Sequence, residues 1–190
     1  MDTFEAIAQR RSIRKFKSPP VPQEMIEQVL EAAIQAPSAK NRQPWHFVVV
    51  QGEQRAEMVR VMREGIDFVA GLGVDLGSAR WTAQVMEQAP VTIFIYNPYG
   101  QYVFGKPPDG QVWDPTDIQS VGAAIQNMLL AAQALGLGTL WICDVFYATD
   151  QFAKWLERDD QLVAAVSLGY PDEQPGPRPR KGAEQVVTWR

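Results

Sequence analysis

The sequence predicts a fold in which helices pack against a β-sheet, of the α/β or α+β class. Short runs rich in β-branched and aromatic residues, each of strand length, alternate with longer stretches whose apolar residues recur at helical spacing. Glycine and proline separate most of these stretches. The 190 residues suit a single domain over 1–190, since independent domains usually need about 100 to 200 residues each.

The first half of the chain predicts helices around one strand. Apolar spacing predicts a helix that ends near Arg10, a second over 26–34 that Pro37 stops, and a third over about 53–63. The β-branched run 46–50 predicts a buried strand between them. Four glycines weaken any long helix between residues 65 and 80, and a shorter helix is expected over 81–87.

The second half predicts three strands, a central helix and a tail. Strands are expected at 91–96, 139–143 and 162–168, with a short helix over 150–157. The helix over 117–135 is apolar nearly all round, so it should be central. The tail, from 170 onward, is rich in proline and arginine and ends in the strand-like stretch 185–189, which we expect to cross to another subunit.

Residues 97–117 carry four prolines, three glycines and several aromatic residues without a clear period. Excursions of this length inside a domain are usually functional lids or disordered segments. The aromatic residues favour a packed lid that would set substrate choice.

Composition and charge exclude several classes of protein. The net charge of −4 gives no reason to expect a nucleic acid or an anionic membrane as partner. No apolar run approaches the roughly 20 residues that cross a bilayer, and the first residues lack the layout of a signal peptide. A cytoplasmic protein is therefore expected.

The chain has one cysteine and one histidine, so the side chains that usually carry out difficult chemistry are scarce and a cofactor is favoured. The one cysteine, Cys143, excludes an intramolecular disulfide and is interpreted as a small buried hydrophobe; Asp144 beside it stays ambiguous. The one histidine, His46, excludes sites that need two imidazoles and is assigned no catalytic role. Neither GxGxxG nor GxxxxGK[ST] occurs, so no standard phosphate loop is present.

Two basic clusters suit a phosphate group. Arg10, Arg11, Arg14 and Lys15 surround Ser12 near one end of the chain, and Arg178, Arg180 and Lys181 lie near the other. Arginine offers forked donors that match phosphate oxygens, and a serine hydroxyl adds a donor without charge. The alternative is two solvated basic patches.

The loop 36–46 is stiff and rich in hydrogen-bond donors. Two prolines bracket hydroxyl, amide and guanidinium groups just before a strand. Asn41 and Gln43 can donate and accept together, which suits the edge of a heterocycle with alternating N–H and C=O groups. An ordinary turn between a helix and a strand is the alternative.

Together these motifs resemble the FMN-dependent nitroreductase family over most of the chain. The motifs are RRSIRKF at 10–16, APS at 36–38 with Asn41, QPW at 43–45, AP at 89–90, GAAIQN at 122–127, LGLGT at 135–139, and LGYP at 168–171 followed by RPRK at 178–181. The resemblance implies an α+β fold, a three-layer α/β sandwich with a central mixed sheet flanked by helices. It also implies an interlocked homodimer with two FMN molecules at the interface.

The resemblance also implies a set of cofactor-binding residues and no metal. The phosphate and ribityl contacts would be Arg10, Ser12, Arg14, Arg178 and Arg180, and Arg11 also belongs to the cofactor-binding set. Arg14 is the candidate for the ring edge at N1. Contacts from the partner subunit would be Pro37, Ser38 and Asn41, and Ala39 and Gln43 of the same loop also belong to the cofactor-binding set. Leu140, Trp141 and Ile142 would lie along the ring, and a backbone N–H near Cys143 or Asp144 would address N5. No catalytic side chain is implied.

The implied reaction is hydride transfer from NAD(P)H through flavin N5 to a small planar acceptor such as a nitroarene, quinone or enone, with ping-pong kinetics. A reductive dehalogenase of iodotyrosine type is an alternative, although its lid uses a Glu, a Tyr four residues later and a Lys. Here Glu64 is followed by Phe68, and no lysine follows as far as Arg80. A flavin-modifying relative, a flavin-binding protein with little turnover and an adaptor without a cofactor are further alternatives.

Overall fold

A computed structural model describes residues 1–100 and 115–190. Within these ranges the α-helices are α1 (Thr3–Gln9), α2 (Gln23–Ile34), α3 (Gln54–Gly71), α4 (Ala79–Gln88), α5 (Pro115–Ala134), α6 (Thr149–Trp155) and α7 (Ala183–Val186). The strands are β1 (His46–Gln51), β2 (Val91–Asn97), β3 (Gly138–Ile142) and β4 (Gln161–Gly169). Two short 3-10 turns cover Ala39–Asn41 and Asp144–Ala148.

The four strands form one sheet in the order β1-β2-β4-β3, and every neighbouring pair is antiparallel. The predicted α+β class is confirmed. The predicted mixed sheet is corrected, because the parallel pairing in the described ranges is an isolated bridge between Ser12 and Thr139. That bridge lies on β3, so the segment after α1 runs along one edge of the sheet.

Helices cover both faces of the sheet, which confirms the three-layer sandwich. Side chains alternate along a strand, so Phe94 and Tyr96 of β2 join one core cluster while Ile93 and Ile95 join the other. The first cluster lies under α3, α4 and α6 and the second under α2 and α5. All four of these β2 side chains are at most 1% exposed, so the central strand anchors both layers.

Helix α5 is the buried helix that the sequence predicts. Val121, Ala124, Ile125 and Met128 are all fully buried, and the helix packs on α2. Its N-terminal half also approaches the loop that follows α2, through a hydrogen bond from the Ala39 N–H to Ser120 Oγ at 3.4 Å.

Helix α3 is longer than predicted and continues through Gly65 to Gly71. The expectation that glycines end this helix near Arg63 is wrong, because Gly65 lies inside the helix and allows it to pack closely against a neighbouring segment. A Cβ at Gly65 would clash with the Cβ and backbone of Ala148 in the second 3-10 turn. Here tertiary contact outweighs the intrinsic cost of glycine in a helix, about 1 kcal/mol.

The strand predicted at 185–189 is also wrong, since α7 occupies its beginning. In the described part of the chain no strand of the sheet pairs with this stretch. Val186 and Trp189 are 64% and 91% exposed. Of the predicted lid over 97–117, residues 101–114 lie outside the described residues.

Across the described ranges, no helix has the combined length and apolar character that crossing a membrane requires. Nor do the same ranges bring three His, Cys, Asp or Glu side chains together in an arrangement that suits a metal ion.

Candidate functional site

The basic segment after α1 is fixed to the edge of β3. Arg10 ends α1, and its N–H donates to the Ala6 carbonyl at 3.0 Å before the backbone becomes extended. The Ile13 N–H then donates to the Thr139 carbonyl at 2.9 Å, and the Ile13 side chain packs closely on Gly138. The segment therefore has a defined position, although it belongs to no regular strand.

The beginning of the tail pairs with this same segment. The Lys17 N–H donates to the Tyr170 carbonyl, and the Asp172 N–H donates to the Lys15 carbonyl, both at 2.9 Å. Phe16 and Pro171 form the antiparallel bridge between these bonds. Residues after 171 are thus brought alongside the arginines near the other end of the chain.

Glu173 adds a side-chain contact to this pairing. One oxygen of its carboxylate accepts hydrogen bonds from the backbone N–H of Arg14 and from that of Lys15, the latter at 3.1 Å. The carboxylate therefore binds backbone donors and leaves the guanidinium of Arg14 to other partners.

The arginines of both predicted basic clusters line one pocket of about 440 Å³, whereas Lys15 and Lys181 do not line it. Its lining residues are Ile7, Ala8, Arg10, Arg11, Ser12, Arg14, Pro175, Gly176, Pro177, Arg178 and Arg180. None of these lining side chains carries a negative charge, and five are arginines. The structure thus brings together the five residues that the resemblance assigns to the phosphate and ribityl contacts, with Arg11 beside them.

The electrostatics of the pocket favour an anion. Partial burial is the main cause that lowers the pKa of Arg10, and the positive charges of Arg180 and Arg11 lower it further. These are the effects of crowded, partly desolvated like charges. A bound dianion would relieve this repulsion.

Arg14 connects the pocket to α4. Its guanidinium carbon lies 5.3 Å from the centre of the Trp81 ring, a cation–π distance. Its Nη1 also donates to the Ser12 carbonyl at 3.2 Å. Trp81 is 51% exposed, so one part of the indole contacts Arg14 while another remains accessible.

The end of β3 presents backbone donors and one aromatic side chain. Leu140 and Ile142 are buried in the core, whereas Trp141 is 38% exposed. The second 3-10 turn begins with a hydrogen bond from the Phe146 N–H to the Cys143 carbonyl at 3.0 Å. The N–H groups of Cys143 and Asp144 therefore lie between the last paired residue of β3 and the hydrogen bonds of the turn.

Asp144 binds the start of α4 through its carboxylate, and the prediction that Cys143 is buried is wrong. Asp144 Oδ2 accepts hydrogen bonds from Ser78 Oγ at 3.1 Å and from Thr82 Oγ1 at 2.5 Å. Cys143 is exposed, because the chain leaves the alternating pattern of the strand at this turn. Partial burial, and then the negative charge of Asp144, raise the pKa of its thiol.

The predicted cofactor loop does not line the arginine pocket of its own chain. Its conformation is tight: Lys40, Asn41 and Gln43 have φ values of 52°, 53° and 50°. The Gln43 N–H donates to Ser38 Oγ at 3.0 Å, which closes the turn. The loop residues in question are Pro37, Ser38, Ala39, Asn41 and Gln43.

Ion pairing holds this loop against α5. Arg42 Nη2 lies 3.3 Å from Asp117 Oδ2, and the Asp117 side chain is 2% exposed. The guanidinium of Arg42 also lies over the Tyr99 ring, 4.5 Å from its centre. The loop is therefore a fixed surface next to the first turn of α5, with Asn41 and Gln43 exposed.

Sequence reasoning missed several residues of this region. The pocket wall includes Ile7 and Ala8 of α1 and the stretch 175–177. The Pro-Gly-Pro sequence directly before Arg178 is the signal that could have indicated a rigid wall. No local pattern marks Glu173 or Trp81, because their contacts join segments that are distant in sequence.

Comparison with known proteins gives a consistent result. The model of the nitroreductase family matches residues 7–170. A protein of Methanothermobacter thermautotrophicus, provisionally named NADH dehydrogenase/NAD(P)H nitroreductase, is 34% identical over 184 residues, which are 94% of this chain and 82% of that protein. Iodotyrosine deiodinase 1 of Rattus norvegicus is 35% identical over 147 residues, which are 72% of this chain and 50% of that enzyme.

The fold agrees with the same family. A crystal structure of a provisionally assigned nitroreductase from Desulfovibrio desulfuricans, in complex with FMN, superposes with a TM-score of 0.75 at 28% identity. The match covers 98% of this chain and 96% of that one. The protein described here therefore belongs to the nitroreductase family.

Proposed function

We propose that this protein is an NAD(P)H-dependent oxidoreductase that binds FMN non-covalently in the arginine pocket and reduces a small planar acceptor. The observation that carries the proposal is the meeting of five arginines, from both ends of the chain, in one pocket without an acidic lining residue. Membership of the nitroreductase family and the FMN-bound relative support it.

The pocket fits the phosphate of FMN. Hydrogen bonds between charged groups contribute about 1.5–3 kcal/mol each, so several are needed to retain a dissociable cofactor. Arg10, Arg178 and Arg180 are the proposed phosphate ligands, with Arg11 beside them and the Ser12 hydroxyl as a neutral donor. When bound, FMN supplies the hydride transfer between NAD(P)H and the acceptor.

The remaining residues orient and polarise the ring in this proposal. Arg14 brings a positive charge to the ring edge, and such a charge favours a ring that gains negative charge on reduction. The N–H groups of Cys143 and Asp144 are the candidate donors to N5. Leu140 and Ile142 contribute through their backbone, because their side chains are buried, whereas Trp141 offers its exposed indole.

The loop 36–46 implies a second copy of the chain. Pro37, Ser38, Ala39, Asn41 and Gln43 lie outside the arginine pocket of their own chain, which is consistent with ring contacts made to the partner subunit of a homodimer. Exposed Phe4 and Ile7 on α1, at 84% and 54%, supply apolar area that a dimer would bury. Sedimentation equilibrium is expected to give twice the mass of the chain, and a monomer would contradict this part of the proposal.

The decisive experiment is the visible spectrum of freshly purified protein. Flavin bands that resolve to FMN after heat release are expected. Added NADH or NADPH should bleach these bands, and a nitroarene or quinone should restore them, with parallel lines in double-reciprocal plots. A colourless protein that fails to take up FMN would contradict the cofactor site. Flavin without NAD(P)H oxidation above the oxygen background would indicate a binding protein instead.

Reductive dehalogenation is the second candidate, because iodotyrosine deiodinase 1 is among the relatives. The residues that would form its lid differ here. The Glu64 carboxylate is paired with Arg60 on the surface of α3, and Phe68 is 58% exposed. We therefore expect no iodide release from 3-iodotyrosine with reduced protein, and release at a rate equal to quinone reduction would favour the dehalogenase.

A further inference from the structure

Trp81 lies close to both parts of the proposed flavin site, which are the arginine pocket and the end of β3. It lies in the first turn of α4, and Arg14, which lines the arginine pocket, holds its ring in a cation–π contact. An indole with 51% of its surface exposed at such a place has no role in the core. The unoccupied part of its surface is available to a ligand.

The turn that carries Trp81 is tied independently to the end of β3. Ser78, which directly precedes α4, and Thr82 of α4 both donate to Asp144 Oδ2, at 3.1 and 2.5 Å. Asp144 directly follows Cys143, whose N–H is a candidate donor to the flavin ring. Thr82 is only 6% exposed, so its bond to the carboxylate is protected from water.

These two sets of contacts fix α4 relative to both the arginine pocket and the end of β3. Arg14 holds the ring of Trp81, and Asp144 holds the helical turn beneath it. A side chain restrained from both directions loses little conformational freedom when a ligand binds against it. The position of the indole is therefore preorganised.

We propose that Trp81 is a specificity-determining residue that forms a wall of the acceptor site and selects planar aromatic acceptors by stacking. This inference rests on the proposed function. An indole offers a broad polarisable face, and aromatic pairs gain affinity beyond the area that they bury. Arg14, packed on the ring, limits its rotation.

The test compares two acceptors of different shape in the FMN-loaded protein. Menadione is planar, whereas ferricyanide is octahedral and cannot stack. In Trp81→Leu, the KM for menadione should rise roughly threefold to tenfold relative to the KM for ferricyanide. Trp81→Phe keeps an aromatic face, so its KM for menadione relative to its KM for ferricyanide should stay close to the value of the parent protein.

Binding without turnover provides a second measurement. Titration of the oxidised, FMN-loaded protein with 2-naphthoate, followed by the flavin absorption, should give a Kd that is higher in Trp81→Leu than in Trp81→Phe or the parent. Equal KM changes for both acceptors, or an unchanged naphthoate Kd, would overturn the stacking role while the proposed function stands. If the parent protein takes up no FMN, both proposals fail.

Discussion

Arg10 at the end of α1 and Arg180 in the tail line the same pocket, where partial burial first and then the charge of Arg180 lower the pKa of Arg10. The two like charges repel each other, and a bound anion would reduce this repulsion. Such an arrangement is typical of a binding site rather than of a solvated surface.

Replacing either arginine should weaken FMN binding. Arg10→Ala and Arg180→Ala are each expected to raise the Kd for FMN by about tenfold to a hundredfold, because each removes a charge-assisted hydrogen bond. Titration of the apoprotein, followed by quenching of flavin fluorescence, measures this. Arg63→Ala is the matched control, since Arg63 of α3 pairs with Glu87 of α4 outside the pocket. Equal affinity in all three variants would remove Arg10 and Arg180 from the site.

Replacing Glu173 with alanine tests whether its carboxylate acts by holding the backbone of Arg14 and Lys15 or only through its negative charge. A carboxylate near a cationic pocket weakens anion binding, so loss of its charge alone should tighten FMN binding. If Glu173 acts by holding the backbone of Arg14 and Lys15, Glu173→Ala should instead weaken binding by roughly threefold to tenfold. We expect weaker binding.

Asp172→Ala is the control for this experiment. It removes the same charge one residue away, and the backbone N–H of residue 172 can still bond to the Lys15 carbonyl. Its FMN affinity should be unchanged or slightly higher. Tighter binding in both variants would show that Glu173 acts only through its charge.

Two glycines of α3 should respond to alanine in opposite directions. Gly65→Ala places a methyl group against Ala148, and such overpacking is expected to lower the free energy of unfolding by about 1–3 kcal/mol. Gly71→Ala meets open space and should raise it by about 0.4–1 kcal/mol. Urea unfolding at a fixed flavin concentration checks both values, and a neutral Gly65→Ala would contradict the close contact.

The thiol of Cys143 should react slowly for an exposed cysteine. Burial and the neighbouring Asp144 raise its pKa, so at pH 8 less of it is thiolate than in free cysteine. The rate of reaction with a disulfide reagent should increase steeply with pH through pH 9. Because the chain has one cysteine, the released chromophore reports this site alone. A rate that levels off below pH 8 would contradict the raised pKa.

The sequence predicted the layers of this fold better than their details. Strands and the buried helix α5 carry dense apolar patterns, and these patterns persist in the structure. The end of α3 was missed because helix propensity is local, whereas Gly65 is selected by contact with Ala148. The tail was misassigned because Val186 and Val187 favour strands but find no partner strand in the described residues.

The residues of the site were easier to predict than their arrangement. Arginine clusters are visible as composition, and both occur in the pocket. Their meeting depends on the pairing of 14–17 with 170–172, which consists of isolated bonds without a strand period. No sequence pattern marks Trp81, because its partner Arg14 lies far away in sequence, as does Asp144, which binds the neighbouring Ser78 and Thr82.

The pairing of 14–17 with 170–173 also sets an order of events during biosynthesis. The arginines of the first segment leave the ribosome long before β4, and Arg178 and Arg180 emerge only after the sheet has been translated. A nascent chain can therefore build its core before it can hold a phosphate from both sides. In the proposed function, the chain therefore completes its cofactor pocket only after the whole sheet has been synthesised.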